Sequence, residues 1–210
     1  QLITDRTEAL ASVGHDLRTP LARLQLRTEA IDDPFLRLSI EKDVGEMEAM
    51  VASLLAFYGG DSDPEKPVQT DIAVLAATIV DDASDMGDRA AYQGPDHLEI
   101  VVRPLALKRA LSNLVENAIK YAGGAQISLR TEDGRVVLCV EDDGPGIPED
   151  ELEHVLEPFV RLDLARSRDT LGLGLGIPIA RRVARREGGM LRLSNRPTGG
   201  LRAEIDVPLG

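Results

Sequence analysis

Asn113-Leu114-Val115-Glu116-Asn117-Ala118-Ile119-Lys120-Tyr121 divides into two faces when wound as an α-helix. Asn113, Glu116, Asn117 and Lys120 share one side, while Leu111, Leu114, Val115 and Ala118 cover the other. The apolar side reads as a core face. The polar side sets two amides beside an ammonium, a grouping suited to a hydrated Mg2+ carrying phosphates, because that ion keeps its waters and takes few protein ligands. An ordinary amphipathic helix fits the same pattern. The flanking chain has to decide between them.

Working outward, Asp142-Asp143-Gly144-Pro145-Gly146-Ile147-Pro148 follows an apolar strand-like run. A carboxylate at a strand end, followed by glycines that let backbone approach closely, can accept a hydrogen bond from an exocyclic amine. Further on, Gly172-Leu173-Gly174-Leu175-Gly176 opens a helical stretch whose N-terminus can hold phosphate. Each segment alone is weak, and their order within one stretch of chain is the stronger signal. Around them, helices are expected over 72–86, 104–122 and 174–187, and strands over 98–102, 125–131, 135–141, 190–194 and 201–207. Glu132-Asp133-Gly134 marks a hairpin turn. The Gly-, Pro-, Asp- and Arg-rich stretch from Gly144 to Leu173 reads as a mobile lid.

Upstream, Gly59-Gly60-Asp61-Ser62-Asp63-Pro64 is a composition break that reads as a linker, which sets a boundary between domains 1–60 and 61–210. Before it, Leu10, Leu17, Leu24 and Ile31 recur every seven residues, with Val13, Leu21 and Thr28 between them. Ile40, Val44, Met47, Val51, Leu54 and Tyr58 step by alternating fours and threes. These are coiled-coil-like seams, and the short join at Asp32-Asp33-Pro34-Phe35 makes an antiparallel hairpin. Two helices cannot enclose a core, so a homodimeric four-helix bundle is expected. His15 sits about 140° around the helix from Leu10, hence outward. Asp16 can hold one imidazole nitrogen and leave the other nucleophilic, Thr19 shares the histidine's face, and Pro20 bends the helix beside it.

Composition narrows the classes further. The chain has 210 residues, a formal net charge of −12 and 3% aromatic residues, a poor endowment for neutralising phosphates or stacking on bases, so direct nucleic-acid binding is not expected. The acidity is local: residues 61–99 carry ten acids against two bases, whereas 170–210 carry seven arginines against three acids. The one cysteine, Cys139, lies in an apolar run and reads as a buried, inert thiol, which removes disulfides and thiolate metal clusters. His15, His97 and His154 are too scattered for a histidine metal site. No stretch approaches a membrane span. Any membrane attachment is expected through segments upstream of Gln1.

With these segments in view, the whole chain resembles the cytoplasmic catalytic core of a bacterial two-component sensor histidine kinase. The resemblance rests on Gly14-His15-Asp16-Leu17-Arg18-Thr19-Pro20-Leu21 and on Asn113-Leu114-x-x-Asn117-Ala118-x-Lys120-Tyr121. It continues through Asp142-x-Gly144-x-Gly146-Ile147, Glu157-Pro158-Phe159-x-Arg161 and Gly172-x-Gly174-Leu175-Gly176. Arg161-Leu162-Asp163-x-Ala165-Arg166-Ser167 is similar to the osmosensor-like class, whose partners are winged-helix response regulators. The resemblance implies a dimeric helical-hairpin four-helix bundle, followed by an α/β sandwich ATP-binding domain of the GHKL, or Bergerat, type. That domain has a mixed, mainly antiparallel sheet with helices on one face.

What the resemblance implies for function is residue-specific. His15 is autophosphorylated from ATP, and the phosphoryl group then passes to an aspartate of a response regulator. Asp16 is base and orienter, and Thr19 positions water for dephosphorylating the phosphorylated regulator. Asn117 holds Mg2+, with Asn113, Lys120 and Tyr121 around the triphosphate. Asp142, with Gly144 and Gly146, reads the adenine amino group. Gly172, Gly174 and Gly176 let the lid fold over phosphates, Phe159 anchors it, and Arg161 and Arg166 contact phosphate. The implied location is the cytoplasmic portion of an inner-membrane receptor, with this fragment itself soluble.

The alternative enzyme is a topoisomerase- or chaperone-type ATPase sharing the nucleotide fold. Those activate water with a glutamate where this chain has Asn113, and Glu116 is the residue that keeps this reading open. A nucleotide-sensing dimeric scaffold requires an idle His15. Gly14 and Leu171 depart from the family pattern, the latter pointing to a stiffer lid, and Pro178 falls in a first helical turn, where proline is tolerated.

Overall fold

The computed structural model describes residues 17, 19–59, 65–162 and 172–209. The chain divides into two compact units, Gln1–Asp63 with Ser167–Leu175, and Pro64–Arg166 with Gly176–Gly210.

The first unit is a helical hairpin. Helix α1 covers 19–28 and α2 covers Pro34–Gly59. Asp33 starts α2 by accepting hydrogen bonds at Oδ1 from the N–H groups of Phe35 (2.9 Å) and Leu36 (3.3 Å), ahead of Pro34 in the first turn. Leu21, Val44 and Val51 form the buried seam, with Ile40 and Leu55 packed against it, and Thr28 is buried in the same row as Leu21. Leu17 and Leu24 remain 42% exposed and Met47 48%. The heptad pattern therefore resolves into two rows: one closes the hairpin, and the other is left uncovered within a protomer. Leu10 and Val13 of the expected seam lie outside the described residues.

The second unit is a layered α/β structure. Its five-stranded sheet runs β2 (Ala90–Gln93), β4 (Ala125–Glu132), β5 (Arg135–Glu141), β7 (Leu201–Pro208), β6 (Met190–Asn195). Only β2 and β4 are parallel in that sheet. A separate antiparallel pair joins β1 (Val68–Asp71) to β3 (Glu99–Val102). Asp133 and Gly134, both with positive φ, make the tight turn between β4 and β5 that the Glu-Asp-Gly signal anticipates. One sheet face carries Ile127, Leu129, Val136, Leu138, Val140, Ala203, Ile205 and Val207, all buried. Helices α3 (Ile72–Asp85), α4 (Pro104–Ala122) and α5 (Gly176–Arg186) cover it with Ile79, Leu107, Leu111, Leu114 and Ile179.

The opposite face is wet and charged, with Arg130 on Glu204 (2.7 Å), Arg202 on Glu141 (2.7 Å) and Arg192 on Asp206 (2.9 Å). Helices thus lie on one face only, as the resemblance implies. Cys139 is buried beneath these pairs, and burial, aided by Glu141 and Glu204, pushes its thiol up to about 11. The inert reading of this cysteine agrees with that environment.

Capping fixes where the helices begin. Asp71 Oδ1 accepts from the N–H groups of Ala73 and Val74 and so starts α3. A hydrogen bond from His97 Nδ1 at 2.7 Å to the other oxygen is the main reason the Asp71 carboxyl falls to about 2. The cap of α4 comes from far away in sequence: the Glu65 carboxylate takes the N–H groups of Leu105 (2.6 Å) and Ala106 (3.0 Å). Arg103, between them, donates to the Glu65 carbonyl (3.1 Å) and to Glu187 Oε1 (2.9 Å), whose side chain is 3% exposed. Removing this arginine strands a buried carboxylate. Arg103→Ala is expected to cost about 3 kcal/mol, read as a lowered urea midpoint with an unchanged denaturant slope.

Three expectations need correction. Strands β1 and β2 were not anticipated, being four residues long and without clear alternation. Helix α5 opens at Gly176 rather than 174, because Gly174 has φ +67° and is not helical. The part of the expected lid from Gly144 to Leu162 is packed structure, with single 3-10 turns at Glu149–Glu151 and His154–Leu156, and residues 163–171 of that stretch lie outside the described residues. Val155 and Leu156 are buried and anchor it on the side of α5. Its glycines and prolines signal irregular backbone, not loose backbone. Of the two expected rows, Leu21 and Thr28 close the hairpin within a protomer, while Leu17 and Leu24 stay exposed there.

Candidate nucleotide site

Helix α4 strings the candidate residues together. Its N-terminal half buries Leu107, Ala110, Leu111, Leu114 and Val115, which turns Asn113 and Asn117 toward α5. A Cβ placed on Gly176 would lie 3.4 Å from both Asn113 Oδ1 and Asn117 Nδ2. The first residue of α5 therefore sits against the two amides, and a methyl there would be in van der Waals contact with both. At the other end of α4, Lys120 Nζ lies 5.5 Å from the centre of the Tyr121 ring, and both residues are exposed. Glu116 is also exposed, although the surrounding protein raises its carboxyl above the usual range.

Asp142 follows β5, in the loop whose Gly144 lies against the C-terminus of α4. Its Oδ1 accepts two backbone hydrogen bonds, from Gly144 (2.8 Å) and Leu201 (3.1 Å). Its Oδ2 bonds to no described residue. A Cβ on Gly144 would come within 3.1 Å of Ala122 Cβ and 3.3 Å of the Tyr121 carbonyl, so the glycine is what lets this loop close on the helix. One carboxylate oxygen is thus fixed by backbone, and the other takes no bond from a described residue.

Phe159 is half exposed with φ +67°, an uncommon conformation for a bulky residue, and Arg161 is partly buried. The structure brings together Asn113, Asn117 and Gly176, and separately Tyr121, Asp142 and Gly144, while Gly146 lies against Asn195. Gly172 and Gly174 group with the helical unit. Thr19 is exposed in α1, while His15, Asp16, Arg166 and Leu171 lie outside the described residues.

Sequence reasoning passed over Asn195 and Arg196. The Asn195 amide pairs reciprocally with Ile147, accepting from its N–H (2.9 Å) and donating to its carbonyl (2.6 Å). Arg196 donates to the Asp142 carbonyl (2.6 Å) and pairs with Asp143 and with Glu141 (3.3 Å). Polar residues at a strand end, just before Pro-Thr-Gly-Gly, were the only available signal.

A five-stranded mixed sheet covered on one face by helices, with amides and a strand-end aspartate gathered along one of them, defines a nucleotide-binding α/β sandwich. The chain belongs to the histidine kinase-, DNA gyrase B- and HSP90-like ATPase family, whose model matches residues 102–210. It is 37% identical to the sensor histidine kinase GtrS of Pseudomonas aeruginosa, covering 98% of this chain and 42% of that protein. It is 34% identical to the sensor protein RstB of Escherichia coli, covering 99% and 50%. The chain thus spans about half the length of the curated relatives it matches. Among solved structures, the histidine kinase domain of the E. coli osmosensor EnvZ is 33% identical, with a TM-score of 0.55, over 70% of this chain and 92% of that one. Full-length ShkA in complex with AMPPNP shares the fold, with a TM-score of 0.78 at 22% identity, over 96% of this chain and 45% of that one. Among the described residues, no helix is long and apolar enough to cross a membrane.

Proposed function

We propose that this chain is the catalytic portion of a sensor histidine kinase, with a dimerisation and phosphoacceptor domain over 1–60 and an ATP-binding domain over 61–210. The observation that carries this reading is the extent of the similarity. It covers 98% of the chain against a sensor histidine kinase, the histidine-bearing hairpin included, not the nucleotide unit alone. Gyrase- or chaperone-type hydrolysis has less support, since Asn113, which stands where those enzymes carry their glutamate, is no base.

In this reading ATP is the substrate and Asp142 Oδ2 accepts the hydrogen bond of the adenine amino group. Asn113, Lys120 and Tyr121 border the triphosphate, with Arg161 and Arg166 as phosphate contacts. Phe159 anchors the lid over it, and Gly172, Gly174 and Gly176 admit its closure. Asn117 would hold a Mg2+, which the paired amides of Asn113 and Asn117 fit, and the ion would supply neutralisation of phosphate charge. His15 attacks the γ-phosphorus, the bond to the bridging oxygen breaks, and ADP leaves. Asp16 holds the proton on the other imidazole nitrogen. The phosphoryl group then moves to an aspartate of a response regulator, and any DNA contact belongs to that partner.

The experiment is incubation with Mg2+ and ATP labelled in the γ-phosphate, followed by addition of a receiver domain. Acid-labile, base-stable label on the kinase that moves to the receiver supports the reading; steady release of free phosphate with no labelled protein counts against it. In the same assay, Thr19→Ala is expected to retain self-labelling while dephosphorylation of the receiver falls at least about ten-fold. Unchanged dephosphorylation removes Thr19 from that role.

The working unit is a homodimer whose bundle covers Leu17, Leu24 and Met47. Leu24→Glu places a charge in that interface, so sedimentation is expected to show monomers where the parent is dimeric. A dimer of unchanged stability contradicts the assignment. The fragment is placed at the cytoplasmic side of a bacterial inner membrane, attached through upstream segments.

A further inference from the structure

The loop bearing Asp142 has no regular structure of its own, yet its carboxylate must be aimed with some accuracy to select one purine. Two neighbouring residues at the end of β6 hold it. Asn195 acts as a one-residue strand partner for Ile147, using both its amide oxygen and its amide nitrogen, and its Nδ2 also reaches Glu149 Oε1 at 3.1 Å. The fit is close: a Cβ on Gly146, which has φ +71°, would fall 2.6 Å from Asn195 Oδ1. Arg196 ties the other end of the loop, bridging Glu141, the Asp142 carbonyl and Asp143.

The turn after them completes the cradle. Gly200 has φ +92°, and a Cβ there would lie 1.9 Å from the Asp142 carbonyl oxygen. No side chain fits between the two backbones. The next residue, Leu201, donates its N–H to Asp142 Oδ1 and accepts the Asp142 N–H at 3.0 Å. The carboxylate is therefore oriented by the Gly144 N–H of its own loop and by the Leu201 N–H where the β6–β7 turn enters β7, and Asn195 and Arg196 fasten the loop beside that turn at both ends.

We propose that Asn195 and Arg196 are positioning residues for purine selection: they hold the 142–148 loop on the β6–β7 turn so that Asp142 Oδ2 is presented to the base. The inference rests on the reading of Asp142 as the adenine acceptor. A fastening that only stabilised the fold would change the unfolding midpoint and leave base preference alone. Loss of aim does the reverse, because a swinging carboxylate no longer distinguishes an amino group from the carbonyl that guanine offers.

The test is calorimetric titration of the full chain with ADP and with GDP, together with urea unfolding. The variants are Asn195→Ala, Asn195→Asp, Arg196→Lys and Asp142→Asn. Asn195→Asp keeps the acceptor for the Ile147 N–H, and Arg196→Lys keeps the charge without the multiple donors, so these two guard against simple failure to fold. Expected is about ten-fold weaker ADP binding in folded Asn195 and Arg196 variants, a similar fall in the ADP-over-GDP preference, and the larger loss in Asp142→Asn. Unchanged preference in folded Asn195 and Arg196 variants, beside lost binding in Asp142→Asn, overturns the positioning role alone. Undiminished binding in Asp142→Asn overturns the adenine reading, and this inference with it.

Discussion

Asp142→Asn is expected to abolish useful ATP affinity, with dissociation constants raised at least about 100-fold, while the fold survives. The reason is a conflict of donors. The wild-type carboxylate accepts from the Gly144 and Leu201 N–H groups at one oxygen and leaves the other without a bond among the described residues. Asparagine has one oxygen. If it stays with the two backbone donors, the amide NH2 faces the donor of the adenine base. If the amide turns over, the NH2 faces two backbone N–H groups instead. Either orientation sets donor against donor, but the first leaves the loop satisfied, so folding is spared and binding is lost. Titration with ATP reads the first effect, and the urea midpoint reads the second. Wild-type affinity in the variant would move the base-recognition site elsewhere.

The fold was legible where periodicity was long and turn chemistry explicit. Helix α4 follows from its two faces, and the β4–β5 hairpin from Asp133-Gly134. Less was legible where structure depends on distant partners. Ala90–Gln93 carries no alternation, and it becomes a strand by pairing with β4. The α4 cap is a glutamate forty positions upstream, which no local window contains. The heptads displayed both apolar rows of the hairpin, but only packing distinguishes Leu21 and Thr28, which close it, from Leu17 and Leu24, which stay uncovered.

The candidate site divides in the same way. Asn113, Asn117, Asp142 and the glycines could be picked out because their chemistry is written in residue type and spacing. Asn195 and Arg196 could not, since their contribution is to hold backbone 48 to 54 positions away, and an Asn-Arg pair at a strand end carries no signature of that. The mobility expected of residues 144–162 was misjudged for a related reason. Glycine and proline announce the absence of helix and strand, whereas mobility depends on anchors, and Val155 and Leu156 are such anchors.

The second large effect concerns the phosphoacceptor. His15→Gln is expected to remove self-labelling entirely while leaving nucleotide affinity intact, because the attacking nitrogen is lost and the ATP-binding domain is untouched. Only three histidines compete for the label, and the other two have settled roles near the surface of the second unit. His97 is committed to Asp71 at 2.7 Å, and His154 lies between Glu151 (3.2 Å) and Glu157 (3.8 Å). The most direct measurement is therefore mapping of the phosphorylated residue by mass spectrometry under base-stabilising conditions, after incubation of the intact chain with Mg2+ and ATP. The account predicts phosphate on His15 and on no other residue. Phosphate on His97 or His154, or ATP turnover with His15 unmodified, would contradict it.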